Sequence, residues 1–469
     1  MIELILTLIL LPLIGSLFVL TSKKGEDNAY NVSVFTLISN VIVILGLFSQ
    51  IDTTNNDLQF VLSYVWTQSI NIEINLGIDT FSLILLLGIY IALLIGLIGL
   101  NQYAKKNKSL LIQMLYFVFN ITGLLISADI ISFYIFFSGI LIPLFMLIGT
   151  QTNTKKTLNI YRFFIYNFVG VILLFISSIY IFQFYDKNIK LSEIAFIDIP
   201  DTYRVLIWSL IFISLISRIP VWPFHYWISS ISSTIRNPLV YIAVNILPLS
   251  GLYGVVRFWP KSLPESIEIY IPYLELFCIA TMVILSLIAL ANKDFLSKLF
   301  SYSTIYYLIF LLAIILPTNE LYLNIAYSIF IFLIVTSALT ILEMKMEDEC
   351  QEAKCEYRGI LAYMPKLSKF ISFFVLVAIG LPISSLFWNN FILISAIFNE
   401  SFSVGLLVML SMMLLAIILL QELYVMRDLQ VYSENALTVN DISKSKQLFL
   451  FAIISILLLS FFNPLWFVI

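Results

Sequence analysis

The sequence predicts an all-α polytopic membrane protein of about fourteen transmembrane helices. Three observations carry this: the composition, the length of the apolar runs, and the placement of the lysines and arginines. Hydrophobic residues make up 61% and charged residues 11% of the 469 residues, with a mean hydropathy of +1.02. Soluble domains average about 45–50% apolar and about 25% charged residues. A spanning helix needs roughly 20 apolar residues, and such runs take up nearly the whole chain. A membrane β-barrel would show short alternating segments, whereas runs such as Phe81 to Leu100 do not alternate.

Taken in order, helix 1 is read at 3–21. It is apolar enough to be a secretory signal, but no basic region precedes it and no small-residue cleavage site follows, so it counts as a span. Helices 2 and 3 follow at 31–50 and 78–100, delimited by polar stretches from Ser22 to Asn28 and from Asp52 to Asp57. Helices 4 to 8 are read at 109–126, 128–150, 158–184, 205–231 and 238–258. Helices 9 to 13 are read at 270–291, 297–317, 321–342, 367–396 and 401–425. A last helix is read at 447–468, after the polar stretch Asp428 to Lys446. The chain 1–469 is thus one transmembrane domain, with an N-terminal group over 1–108, units over 109–258 and 270–425, and a C-terminal helix over 447–469. The charged stretch from Glu343 to Lys369 is read as a solvated connector, with a partner-docking loop as the alternative.

Basic residues in short loops orient such a chain. Most of the 25, among them Lys23, Lys105, Lys155, Lys293, Lys298 and Lys345, fall on one side under this helix count. Lys187, Lys190, Arg204, Arg257 and Lys261 fall on the other, with both termini. The termini are therefore expected to face away from the cytoplasm or matrix. No basic tract interleaved with aromatics is present, so nucleic acid is not expected as a partner. Cys278, Cys350 and Cys355 lack metal-ligand spacing and are read as free thiols.

Two basic residues, Arg162 and Arg218, fall inside predicted spans, where a charge costs at least about 2.5–3.5 kcal/mol at the helix centre. Arg218 is followed by Pro220, Pro223 and His225, the single histidine. A proline within a helix removes a hydrogen bond and clashes with the preceding turn, so helix 7 should be broken there. Helix 12 has the same character, with Gly380 and Pro382 at mid-span and Asn389 and Asn390 following. Two broken helices five helices apart point to an inverted-repeat transporter with its ion path near the breaks. The expected division is two inverted five-helix repeats, helices 4 to 8 and 9 to 13.

SRIPVWPFHYW (Ser217 to Trp227) resembles the K-x-P-x-x-P-F-H-x-W-L-P signature of the antiporter-like membrane subunits of respiratory complex I. Further phrases are similar to that family and fall in its order: LGIDTFSLILLL from Leu76, FFSGILIPLFMLIG from Phe136, LSKLFSYSTIYYL from Leu296 and GLPISSLFWNNF from Gly380. GLYGVVRF from Gly251 favours the M-type branch, the bacterial equivalent of mitochondrial subunit 4. The resemblance covers roughly residues 70 to 400.

In that family a glutamate of helix 5 pairs with a lysine of helix 7, and charged residues of helices 8 and 12 extend a polar axis. The matching positions here are Ser138, Arg218, Leu249 and Asn390, and the helix 10 histidine is matched by Tyr307. Arginine keeps the charge but does not readily release a proton. Arg218 should therefore find a partner among Ser138, carbonyls freed by Pro220 and Pro223, Asn245, or water. Asp129 matches the residue opening helix 5, and is read as a path residue or as a helix-start carboxylate. Arg162 falls where the family often has a lysine, and is read as a path residue or as an interfacial side chain. His225 can exchange a proton near neutral pH or serve as a structural hydrogen-bonder. Asn389 and Asn390 can carry water or simply join helices.

The resemblance implies a membrane-arm subunit of a proton-translocating NADH:quinone oxidoreductase, with hydrophobic membrane-arm subunits and the lipid bilayer as partners. No cofactor is expected in this chain; NADH, flavin, iron-sulfur clusters and quinone would belong to partner subunits. The location implied is the bacterial inner membrane or the mitochondrial inner membrane. Two alternatives stand: a subunit of a multisubunit cation/proton antiporter or membrane-bound hydrogenase, and a structural subunit that has lost transport.

Overall fold

The computed structural model describes residues 2–22, 27–53, 57–67, 72–100, 104–105, 107–150, 157–184, 190–191, 200–232, 234–235, 237–258, 270–316, 321–353, 358–382, 384–428 and 440–460. Lys23, Lys155, Lys187, Lys261 and Cys355, together with the end of the C-terminal span at 461–468, lie outside the described residues.

The fold is helical throughout its membrane part, and among the described residues eleven helices are long and apolar enough to cross a bilayer. Helices α1 (Ile2–Thr21) and α2 (Asp27–Phe48) are peripheral and expose large apolar side chains such as Phe18, Phe35 and Ile42. Next come α3 (Thr80–Gly99), α4 (Lys108–Leu125), α5 (Ile130–Gly139), α6 (Leu141–Gly149) and α7 (Thr157–Phe184). Predicted helix 5 is thus interrupted at Ile140, three residues before Pro143, which has no N–H to offer the carbonyl of Gly139.

Beyond these lie α8 (Asp201–Arg218), α9 (Tyr226–Ser232), α10 (Pro238–Phe258), α11 (Ile271–Ala291), α12 (Phe295–Ile315) and α13 (Tyr322–Ala353). The chain continues through α14 (Ile360–Tyr363), α15 (Pro365–Ile379), α16 (Ser385–Glu400), α17 (Phe402–Arg427) and α18 (Lys444–Leu459). Helices α3, α10, α12 and α13 pack on one another at the centre and are buried over most or all of their surface. A helix apolar on every side belongs in such an interior position.

Both predicted breaks are present. Helix α8 stops at Arg218, and Ile219 is extended. Pro220 and Pro223 lie in the irregular stretch before α9. Helix α15 stops at Ile379, and Gly380 takes φ +90°, a left-handed conformation that favours glycine. The N–H of Leu381 then bonds the carbonyl of Leu376 at 3.1 Å and that of Gly380 the carbonyl of Val377 at 3.0 Å. This closes the helix with a Schellman motif. Pro382 follows directly.

The helical fold carries one addition and one correction. First, β1 (Gln59–Thr67) and β2 (Ile72–Ile78) add an antiparallel hairpin, with Tyr64 opposite Ile74. Its strands are rich in β-branched and aromatic residues, which suit a half-exposed pleated surface. The hairpin is tied to the bundle where Ala128 N–H bonds the carbonyl of Asn75 at 2.9 Å and Gly77 N–H that of Ile126 at 2.8 Å. Secondly, the stretch from Glu343 is not a solvated connector. Helix α13 runs on to Ala353, since Glu, Met, Lys, Gln and Ala are good helix formers. Glu343 and Glu349 are buried; Glu349 pairs with Lys345 and accepts from Asn440 N–H.

One end of the central helices is held by a buried ion pair. Asp79 caps α3 through Ser82 and meets Arg257, in the last turn of α10, at 2.8 Å. The guanidinium lies 4.8 Å from the ring centroid of Tyr253, whose hydroxyl bonds the carbonyl of Leu125 at 2.6 Å.

Close packing against the first break depends on glycine. A Cβ at Gly251 would lie 2.6 Å from the carbonyl oxygen of Leu215 and 2.9 Å from Ile219, whereas one at Gly46 meets nothing within 4 Å. Gly251→Ala is expected to destabilise by about 1–3 kcal/mol through overpacking. Gly46→Ala should be neutral or stabilising by up to about 1 kcal/mol. Thermal melts of the two variants in detergent check the contrast, and equal melting points would show that α10 and α8 do not pack this closely.

Candidate functional site

The site is assembled from the two helix breaks and the central helices between them. Arg218, the last residue of α8, is fully buried. Its Nη2 donates to the carbonyl oxygen of Phe137 at 2.8 Å, and the guanidinium lies 4.2 Å from the centroid of the Phe137 ring. A cation over an aromatic face is attracted by the ring quadrupole. Nε and Nη1 meet no hydrogen-bond partner among the described residues.

The partner of Arg218 is therefore a backbone carbonyl of α5, not one of the protein groups named from the sequence. Ser138 turns its hydroxyl back onto the carbonyl of Ile135 at 2.9 Å. Asn245 lies elsewhere: its Nδ2 donates to Thr336 Oγ1 at 3.2 Å and its carbonyl accepts from Tyr307. Asn245 thereby ties α10 to both α12 and α13. Tyr307, at the position of the family's histidine, is held as a donor to backbone.

At the second break the carbonyl of Ala378, near the end of α15, accepts from two hydroxyls, Tyr302 at 3.0 Å and Tyr306 at 3.3 Å. Asn390 Nδ2 donates to the Tyr306 hydroxyl at 3.0 Å. Asn390 Oδ1 and both amide atoms of the fully buried Asn389 have no partner among the described residues. Buried polar groups usually find one, in protein or in ordered water.

The remaining candidates lie apart from these clusters. Asp129 is a fully buried N-cap whose Oδ1 accepts from Ser132 N–H at 2.7 Å and Oδ2 from Asn75 N–H at 2.6 Å. It fastens the hairpin to α5, the helix-start reading extended to a second element. Arg162 donates to the hydroxyl of Tyr226 at 3.4 Å, with its guanidinium 5.8 Å from that ring. It sits beside the first break but does not touch Arg218. His225 lies between α8 and α9, partly buried, and its Nδ1 has no partner among the described residues.

Sequence reading missed a buried ion pair between Lys298 of α12 and Glu422 of α17, with side-chain exposures of 10% and 5%. Counted from the sequence with the basic residues of one side, Lys298 lies in the first turn of α12. The available signal was Glu422 itself, a carboxylate inside the apolar run 401–425.

Comparison with known proteins gives a consistent result. The family model described as NADH:quinone oxidoreductase/Mrp antiporter, transmembrane, matches residues 127–418. Over 468 residues the chain is 27% identical to the NADH-quinone oxidoreductase subunit M of Rickettsia typhi, covering 96% of this chain and 92% of that one. Its fold matches a chain of respiratory complex I from Thermus thermophilus with a TM-score of 0.86 at 17% identity, covering 98% of this chain and 96% of that chain. It also matches a chain of the Mrp complex of a Dietzia species with a TM-score of 0.76 at 14% identity, covering 93% of this chain but 48% of that chain.

Removing the buried cation by Arg218→Ala frees the Phe137 carbonyl and forfeits a charge-assisted bond worth about 1.5–3 kcal/mol. The expected outcome is impaired assembly or proton uptake, read on native gels and in membrane vesicles; wild-type levels of both would end any role for this charge. Ser138→Glu is expected to accumulate normally, its carboxylate reaching the unmatched Nε and Nη1. Loss of folded protein in that variant would show that the guanidinium is inaccessible from position 138.

Proposed function

The chain belongs to the NADH:quinone oxidoreductase/Mrp antiporter transmembrane family, and from that premise we propose that it is an M-type membrane-arm subunit of a proton-translocating NADH:quinone oxidoreductase. The observation that carries the choice is length. The chain runs alongside nearly all of a subunit M relative and nearly all of the matched complex I chain. Against the Mrp chain it spans only about half. The two broken helices, with Arg218 at one and Asn390 at the other, suit a part in moving ions through the membrane centre.

In this reading the chain carries no redox centre, and NADH, flavin, iron-sulfur clusters and quinone are handled by other subunits. Its neighbours are further hydrophobic membrane-arm subunits, and it resides in a bacterial or mitochondrial inner membrane with both termini facing outward. Arg218 acts as a fixed positive charge rather than a proton carrier, because a guanidinium holds its proton. His225, Asn389 and Asn390 supply polar contacts along the path, while Asp129 and Arg162 hold the elements around it.

The test is to solubilise native membranes gently, separate the complexes by size and identify what migrates with this chain. Co-migration with NADH-oxidising activity and with flavin and iron-sulfur subunits is the expected result. Migration with small hydrophobic partners lacking redox centres would replace this reading with a cation/proton antiporter.

A further inference from the structure

We propose that Lys298 and Glu422 form a proton-loading site at the basic-loop end of α12, from which one face of that helix leads inward to the second helix break. The inference rests on the proton-translocating reading above and adds to it a site that involves neither Arg218 nor the first break.

Three observations carry it. Lys298 and Glu422 are nearly enclosed, one in the first turn of α12 and the other on α17, a spanning helix, with the ammonium bonded to Oε1. Ionisable side chains within spans are costly and mark ion paths and proton relays. Residues 298, 302 and 306 recur at four-residue spacing and so share one face of α12. Tyr302 and Tyr306 hydroxyls both reach the Ala378 carbonyl, their ring centroids 4.7 Å apart, and Asn390 continues from Tyr306. Finally, this face ends where Asn389 and the Oδ1 of Asn390 are buried without partners among the described residues, and buried polar groups of this kind are commonly met by ordered water. An ion pair that merely clamped α12 to α17 would explain the burial, but apolar side chains pack such positions as well or better. A clamp also leaves the line of hydroxyls unexplained.

The cycle balances with one proton and no electrons. A proton from water on the basic-loop side bonds a Glu422 oxygen, the O–H bond of the donating hydronium breaking. With its partner neutral, Lys298 gives up a proton, an N–H bond breaking as the proton passes to water beside Tyr302. The carboxyl proton then moves to Lys298, which restores the ion pair.

The experiment uses the complete complex in sealed membrane vesicles and measures proton uptake per electron transferred. Glu422→Gln is expected to assemble and transfer electrons with a reduced proton-to-electron ratio, and Glu422→Asp to recover it. The paired variant Lys298→Met with Glu422→Leu, which leaves no lone buried charge, is expected to assemble and show the same loss. Should either assembled variant pump at the wild-type ratio, the site is overturned while the reading of the whole chain stands. If the wild-type complex transfers electrons without any proton uptake, it is that reading which falls.

Discussion

A helix broken inside a bilayer leaves carbonyl groups that lipid cannot satisfy, and how those groups are met organises this protein. Within hydrocarbon every backbone polar group needs a partner inside the protein. At the second break the Schellman closure uses the carbonyls of Leu376 and Val377, and that of Ala378 is taken by two tyrosines of α12. Near the first break a guanidinium is spent on the carbonyl of Phe137. Each break is therefore sealed by a long polar side chain from a neighbouring element, or sends one there. The same contacts bind α8 to α5 and α12 to α15.

Much of this was legible from the sequence because the bilayer is a strict reader. Spans require long apolar runs, and Pro220, Pro223, Gly380 and Pro382 announce where two of them fail. The hairpin was not legible: strands of nine and seven residues embedded among apolar helices give a weak alternating signal beside runs at least twice as long. The partner of Arg218 had no signature at all, since a backbone carbonyl looks the same at every position. Lys298 and Glu422 were missed for a different reason. Their pairing joins positions 124 apart in sequence, and a lysine at the edge of a predicted span counts as easily with the loop as with the helix.

Where the family's motif has titratable residues, this chain has Ser138, Arg218, Leu249, Tyr307 and Asn390. The structure gives these substitutions a common character. Tyr307 and Asn390 make fixed hydrogen bonds to neighbouring helices, and Arg218 makes a fixed cation contact. These positions, which the resemblance pairs with titratable residues, hold geometry here. In the second half of the bundle Lys298 and Glu422 form a buried ion pair between α12 and α17.

Helix α13 has a further consequence. At 1.5 Å per residue its 32 residues extend about 48 Å, against a hydrocarbon thickness of roughly 30 Å. One side of the excess is packed on protein: Glu343 and Glu349 are enclosed and Glu349 receives the chain at Asn440 just ahead of α18, while Asp348, Gln351 and Glu352 face out. The helix is thus a rigid spar whose height is set by protein contacts at the centre and at its projecting end. Thinning or thickening of the surrounding lipid would be absorbed by the peripheral helices, with their lipid-facing side chains, leaving the registry of the interior unchanged.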